Sequence, residues 1–329
     1  MIEPAKLRAV LAGTPYEVFL GFDPFGLQIP SFIAVAQGHK PAMDAWVRVE
    51  AWAAFNSAMT SFGLVHVADT LFDRADERLD AVANDRFGST RAALRRLPVP
   101  GAEAHVFVAA DTRSRDYARA SGWYPLLVDG ILIDKPPSDH ERFGSALGYP
   151  ACCRTFFRQR NDWRKDNSWC AAAMAAAFEP PGISIGAWQA NGLLRHSAAG
   201  LVPHIPCSPE CVATIEAANS LYADIRMQAP EYADAIRHEL SGVFLVLSEE
   251  RVFRLENAVL DSRGCRYSGV KAVNPTSVDD PLLPLLEAGY RCDLENGCVL
   301  AERDARPTGG YQGRGDQHAP ECPILIQYR

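Results

Sequence analysis

The chain has 329 residues, of which 48% are hydrophobic and 22% charged, enough to bury a full core in one large domain or two. A formal net charge of −7 argues against a general nucleic-acid surface, which needs a clustered basic face to release counterions. No apolar run is long enough to cross a bilayer, and the opening MIEPAKLRAVLAG has an acid at Glu3 and no small-residue cleavage pattern. A cytoplasmic protein with no nucleic-acid and no membrane partner is expected.

From the N-terminus, EVFLGF (Glu17 to Phe22) and IPSFIAVA, separated by a turn-rich DPFG, read as strands or buried loop, with Asp23 a turn residue. Met43, Trp46, Val47, Ala51, Trp52 and Phe55 recur at helical spacing, so 43–57 reads as an amphipathic helix. Helical segments are also expected around 70–83 and 89–97. AHVFVAA (Ala104 to Ala110) reads as a buried strand, Asp111 as the cap of a helix running to Ala120, and YPLLVDGILID as strand again. This order suggests an α/β unit, closed by the loop KPPSDHER.

The stretch from Arg142 to Leu240 reads as mainly helical, including AAAMAAAF (Ala171 to Phe178). Short β-rich runs then follow one another, from GVFLVLS to PILIQY, with one helix at Pro281 to Ala288. GGYQGRGDQ resembles a phosphate loop only in its glycines and reads as a flexible loop. The fold class expected is α+β: an α/β and helical body with a small antiparallel β domain at the C-terminus. The divisions expected are an N-terminal α/β region (1–135), a mainly helical cysteine-motif region (136–240) and a small β-rich domain (241–329).

Nine cysteines in a reducing compartment point to metal or redox chemistry rather than disulfides. Cys152 and Cys153 stand side by side in LGYPACC, and HIPCSPEC carries Cys207 and Cys211. Both pairs fall at expected helix starts: Pro150 suits the first position of one helix, while Ser208 and Pro209 suit the cap and first position of the other. Unpaired N–H groups and the helix dipole favour thiolate there, and thiolate is the form that binds metals. Brought together, the two ends would place four sulfurs around one centre.

Adjacent ligands suit a polynuclear centre, so an iron–sulfur cluster, of the 4Fe–4S kind, is the first expectation for Cys152, Cys153, Cys207 and Cys211. If only three of them bind, the fourth iron is open to substrate. Zinc is the alternative, since Cys207 and Cys211 have the spacing of a zinc knuckle. His204 is a candidate catalytic acid/base or further ligand. Arg154, Arg195 and Asn191 are candidates for binding a small-molecule substrate with an anionic group. Cys170, Cys265, Cys292, Cys298 and Cys322 read as structural, with Cys292 and Cys298 able to approach across a hairpin. No Ser/His/Asp signature, H-E-x-x-H or Rossmann glycine pattern is present.

LGYPACC followed by HIPCSPEC resembles an uncharacterised prokaryotic domain family marked by LGYPxCC and a later PCSxxC. The resemblance covers roughly Ala104 to Leu240 and rests on Gly148, Tyr149, Pro150, Cys152 and Cys153, then Pro206, Cys207, Ser208 and Cys211. It implies that the two motifs belong together and carries no reaction with it. The combined expectation is a metal-dependent enzyme acting on a small molecule, or, alternatively, a non-catalytic binding protein stapled by zinc.

Overall fold

The computed structural model describes residues 2–73, 93–95, 103–122, 126–128, 131–133, 140–160, 182–247, 251–273, 278–295, 298–303, 306–311 and 324–329. Within them the protein is α+β, with three sheets flanked by helices.

Helices α1 (Pro4–Leu11) and α2 (Ile29–Ala36) each carry a proline in the first turn, where its missing N–H has no partner to lose. Strand β1 (Ala42–Arg48) and helix α3 (Trp52–Ser61) follow. Three expectations fail in this region. EVFLG is a 3₁₀ turn and IPSFIAVA is α2, whose residues Ile29, Pro30, Phe32, Ile33, Ala34 and Val35 are buried around most of its circumference. Burial on nearly every side erases the period that separates helix from strand. Conversely, the expected helix over 43–57 begins as β1, which buries Ala42, Met43, Ala45 and Val47, and turns helical only at Trp52.

A six-stranded sheet runs in the order β1-β4-β2-β3-β5-β6, with β2 (Val65–Asp73), β3 (Ala93–Arg95), β4 (Glu103–Ala109), β5 (Leu126–Val128) and β6 (Ile131–Ile133). Its β3–β5 pair is parallel and the others antiparallel. The helices expected around 70–83 and 89–97 are therefore strand at Thr70–Asp73 and Ala93–Arg95, because the first segment pairs with β4 and the second with β2 and β5. Residues 74–92 and 96–97 lie outside the described residues, as do Cys170, 171–178 and Cys322. The strand at β4 and the Asp111 cap are as expected: the Asp111 carboxylate accepts the Ser114 N–H at 2.9 Å at the start of α4 (Thr112–Ser121).

Helices α5 (His140–Ala146) and α6 (Ala151–Arg160) are joined by Leu147–Pro150. Gly148 makes this joint possible. It ends α5 at φ 75°, and a Cβ there would lie 2.8 Å from Cδ of Pro41. The Tyr149 N–H donates back to the Gly144 carbonyl at 2.8 Å, closing the helix end before Pro150. Leu147 and Ala146 pack with Phe107 and Ala109 of β4, which docks the α5–α6 joint on the first sheet.

Strand β7 (Gly182–Gly186) leads through two short 3₁₀ turns and a loop to α7 (Val212–Gln228) and α8 (Pro230–Leu240). The β-rich C-terminal run is present as expected. Strands β8 (Gly242–Val246), β9 (Val252–Glu256), β10 (Val259–Leu260), β11 (Gly264–Arg266) and β12 (Gly269–Ala272) precede helix α9 (Leu282–Ala288). Strands β13 (Arg291–Glu295), β14 (Cys298–Arg303), β15 (Arg306–Tyr311) and β16 (Ile324–Tyr328) follow it. One sheet is antiparallel, β10-β11-β13-β14-β15. The other, β12-β9-β8-β16-β7, ends in the parallel pair β16–β7, so it takes strands from both sides of residue 240. Within GGYQGRGDQ, Gly309 to Tyr311 belong to β15, and the remainder lies outside the described residues.

Alternation along β8 explains how the parts cohere. Phe244 and Val246 enter a large core with Phe19, Phe32, Phe55, Tyr232 and Tyr328, whereas Val243 and Leu245 enter a second with Phe253, Leu282 and Leu325. Cys265 and Cys292 are buried in that second core and stand opposite each other between β11 and β13. Register places Cys292 against Cys265 and Ala301, while Cys298 pairs with Glu295, so the hairpin does not align Cys292 with Cys298.

Candidate metal centre

Cys152 and Cys153 occupy the first turn of α6, and Cys211 is the residue from which α7 departs. The second helix therefore starts after Cys211 rather than between Cys207 and Cys211. Ser208 to Cys211 form a turn instead, closed by the Cys211 N–H on the Ser208 carbonyl at 3.1 Å. Two contacts hold the loop that carries Cys207. The Ala187 N–H, just beyond β7, donates to the Pro209 carbonyl at 3.0 Å. Gly192 lies beneath Pro206 so closely that a Cβ would be 2.7 Å from Cδ of that proline.

The result is the pairing expected from the two motifs. The four sulfurs of Cys152, Cys153, Cys207 and Cys211 all lie within 4.8 Å of one another. Cys152 and Cys153 are 3.9 Å apart, Cys152 and Cys211 3.7 Å, and Cys153 and Cys211 3.6 Å. The Cys207 N–H approaches the Cys153 sulfur at 3.4 Å. Cys152 is exposed, Cys207 half-buried, and Cys153 and Cys211 buried, so the cluster sits just beneath the surface. Such a group could hold a metal ion.

Thr214, in the first turn of α7, is a residue that the sequence motifs passed over. Its hydroxyl is fully buried, 3.3 Å from the Cys211 sulfur, 3.4 Å from that of Cys153 and 3.0 Å from Nε2 of His204. With its hydroxyl hydrogen directed at Cys211, the Thr214 oxygen is placed to accept from His204 when Nε2 carries the ring proton. A C-x-x-T spacing at a helix start was the available signal, since residues three apart share a helix face.

The thiols differ in electrostatics. Burial works against ionisation of Cys211, but hydrogen bonds from Thr214 and its sulfur neighbours outweigh it and bring the pKa down to about 7. Burial pushes Cys207 up to about 12 and raises Cys153 well above the ordinary thiol range, with the neighbouring sulfurs adding to the effect. Without a cation, these sulfurs resist ionising together. A bound ion would supply the missing positive charge, so the donor set and its electrostatics fit a thiophilic metal.

A cavity of about 620 Å³ adjoins the cluster, with Cys153, Arg154, Tyr149 and His204 on one side and Asp44 and Trp46 of β1 among its other lining. His204 lies outside the sulfur group. It is buried against the Tyr149 ring at 5.1 Å, and burial followed by the charge of Lys40 pulls its pKa down to about 3. The imidazole is therefore neutral and a weak proton acceptor at ordinary pH. Arg154 lines the cavity, but its Nε donates to Glu141 at 2.8 Å and its Nη1 to the Tyr149 carbonyl, tying α6 to α5. Arg195 lines the cavity and also donates Nη1 to the Gly192 carbonyl at 3.3 Å. Asn191 stands apart: fully buried, it donates Nδ2 to the Leu240 carbonyl at 2.8 Å and accepts the Leu193 N–H at 3.1 Å. Asp23 is a turn residue as expected, accepting the N–H groups of Leu27 and Gln28 at 3.1 and 2.7 Å.

No protein-family model, curated protein or solved structure matches the chain. The four-cysteine cluster is a possible metal site. No helix among the described residues is long and apolar enough to cross a membrane.

Proposed function

We propose that Cys152, Cys153, Cys207 and Cys211 hold a single tetrahedral zinc ion that pins the starts of α6 and α7 and shapes the wall of the adjoining cavity. The observation that supports this is the spacing of the sulfurs. Four thiolates at about 2.3 Å from one zinc stand about 3.8 Å apart along the edges of the tetrahedron. Among Cys152, Cys153 and Cys211 the separations of 3.6, 3.7 and 3.9 Å lie close to that value, and the Cys207 sulfur lies within 4.8 Å of all three.

An iron–sulfur cluster places its own irons and sulfides between the thiolates, which then stand farther apart than around one ion. That expectation would require the cysteines to spread. Four thiolates also fill the coordination sphere of zinc, so the ion's contribution is charge neutralisation and cross-linking, and ligand binding falls to the cavity. The favoured function is thus a small-molecule-binding metalloprotein whose binding wall is assembled by the metal centre.

Elemental mass spectrometry of anaerobically purified protein, alongside a visible spectrum, tests this. One zinc per chain in colourless protein is expected. Brown protein with stoichiometric iron and sulfide would restore the cluster, and metal-free protein with freely alkylated cysteines would remove both.

A further inference from the structure

The four sulfurs are close together but not equally reachable. Cys152 is the exposed member, Cys207 is half-buried, and Cys153 and Cys211 are buried. A thiolate is open to peroxide in proportion to its ionised character and its exposure, and a metal holds its cysteine ligands in the ionised form. Peroxide arriving from solvent therefore meets Cys152 first.

The outcome then depends on which second sulfur can reach Cys152. Cys153 is 3.9 Å away but is the next residue on the same helical turn. Cα atoms joined by a trans peptide stand about 3.8 Å apart, closer than the roughly 4.4 to 6.8 Å that a disulfide spans. Cys211 is 3.7 Å away and approaches from a different element, the start of α7. From there a short approach reaches the sulfur–sulfur bond length of about 2.05 Å. Cys207, within 4.8 Å, is the competitor for this partnership.

We propose that Cys152 is the oxidation site of a thiol switch, in which hydrogen peroxide joins Cys152 to Cys211 and expels the metal that the four cysteines hold. The Cys152 thiolate attacks one peroxide oxygen and the O–O bond breaks, leaving a sulfenic acid and hydroxide. The Cys211 thiolate then attacks the Cys152 sulfur, the S–S bond forms, and the hydroxyl leaves as water with a proton from solvent. The sulfurs together give up two electrons, and the peroxide, taking protons from solvent, ends as two waters.

Cys153 and Cys207 remain, too few to close a tetrahedral shell, so the ion is released. The new bond joins the same two helix starts that the ion joined. The junction of α6 with α7 is kept, while Cys153, which lines the cavity, regains an unliganded thiol. This deepens the metal-centre reading as a form of its regulation and rests on it.

The test starts from the full chain with its metal content measured, treated with increasing hydrogen peroxide up to one equivalent. A chromogenic chelator reads metal release, and iodoacetamide labelling under denaturing conditions, followed by tandem mass spectrometry, maps the thiols. Metal release in step with peroxide is expected, with a Cys152–Cys211 disulfide, label on Cys153 and Cys207, and metal binding regained after reduction by dithiothreitol. Metal retained after a full equivalent, a disulfide from Cys152 to Cys207 or Cys153, or Cys152 carried to sulfinic acid with no disulfide would overturn the proposal. Protein without metal at the outset would fail the metal assignment, and the disulfide map of that same sample would still decide the thiol step.

Discussion

The sulfur of Cys153 lies 3.6 Å from that of Cys211, although 58 positions separate them in the chain. One opens α6 and the other immediately precedes α7, so the contact joins two helix starts that come to the site from different supports. Helix α6 arrives through the α5 joint docked on β4, whereas the Cys207–Cys211 segment is tied to the end of β7. An ion at this junction would link the first sheet to the helical layer.

Cys153→Ser removes a buried ligand at the centre of that junction. Zinc content is expected to fall from one per chain towards none. If the loaded protein works at ~1,000 times its zinc Kd, about 4 kcal/mol of stability goes with the metal. Urea denaturation with and without added zinc measures both. Retained zinc and an unchanged midpoint would contradict the assignment.

Thr214→Val keeps the shape of the side chain and removes the hydroxyl that bridges His204 to the sulfurs. Leaving a buried imidazole nitrogen unpartnered costs about 1 to 3 kcal/mol. In metal-free protein Cys211 should also lose reactivity at neutral pH, because the hydrogen bonds that bring its thiol to about 7 are weakened. The pH profile of its alkylation, read by mass spectrometry, should shift upward; an unmoved profile would separate Thr214 from that role.

His204 gives the metal-free protein a defined acid sensitivity. Its folded pKa is depressed to about 3, mainly by burial, whereas an unfolded imidazole binds a proton below about 6.5. The unfolded state therefore binds more protons between those values, and stability falls as pH drops from about 6.5 towards 3, by at most about 1.4 kcal/mol per pH unit. Urea midpoints at about pH 7.5 and about pH 5 should differ more in the wild type than in His204→Gln. An equally steep fall in the variant would place the sensitivity elsewhere.

Gly148→Ala tests the joint itself. Its φ of 75° and the 2.8 Å approach of Pro41 leave no room for a methyl group without movement of the turn that delivers Cys152 and Cys153. A loss of about 2 kcal/mol is expected from the left-handed conformation and the clash together, with weaker zinc binding. Wild-type stability in this variant would contradict the role assigned to the turn.

The sequence made the site more legible than the fold. Two cysteine pairs beside helix-start signals are a local pattern, and the Gly-Tyr-Pro turn announces the joint before α6. Thr214 carries only the faint mark of its C-x-x-T spacing from Cys211: threonine in a helix is ordinary, and its meaning comes mainly from His204 and Cys153 arriving from elsewhere. The elements that misled are those where tertiary context overrides local spacing. Ile29 to Ala36 is apolar on most sides and loses its helical period. Met43, Trp46 and Val47 fit a helical spacing by coincidence, because β4 recruits them as a strand. The parallel pairing of β7 with β16 was illegible for a simpler reason, since residues so distant in sequence give no local signal of contact.

The most direct measurement is X-ray absorption at the zinc edge of protein purified without added metal. One zinc per chain surrounded by four sulfurs at about 2.3 Å is the expected result. A mixed nitrogen–sulfur shell, or iron with inorganic sulfide in its place, would contradict a centre closed by Cys152, Cys153, Cys207 and Cys211.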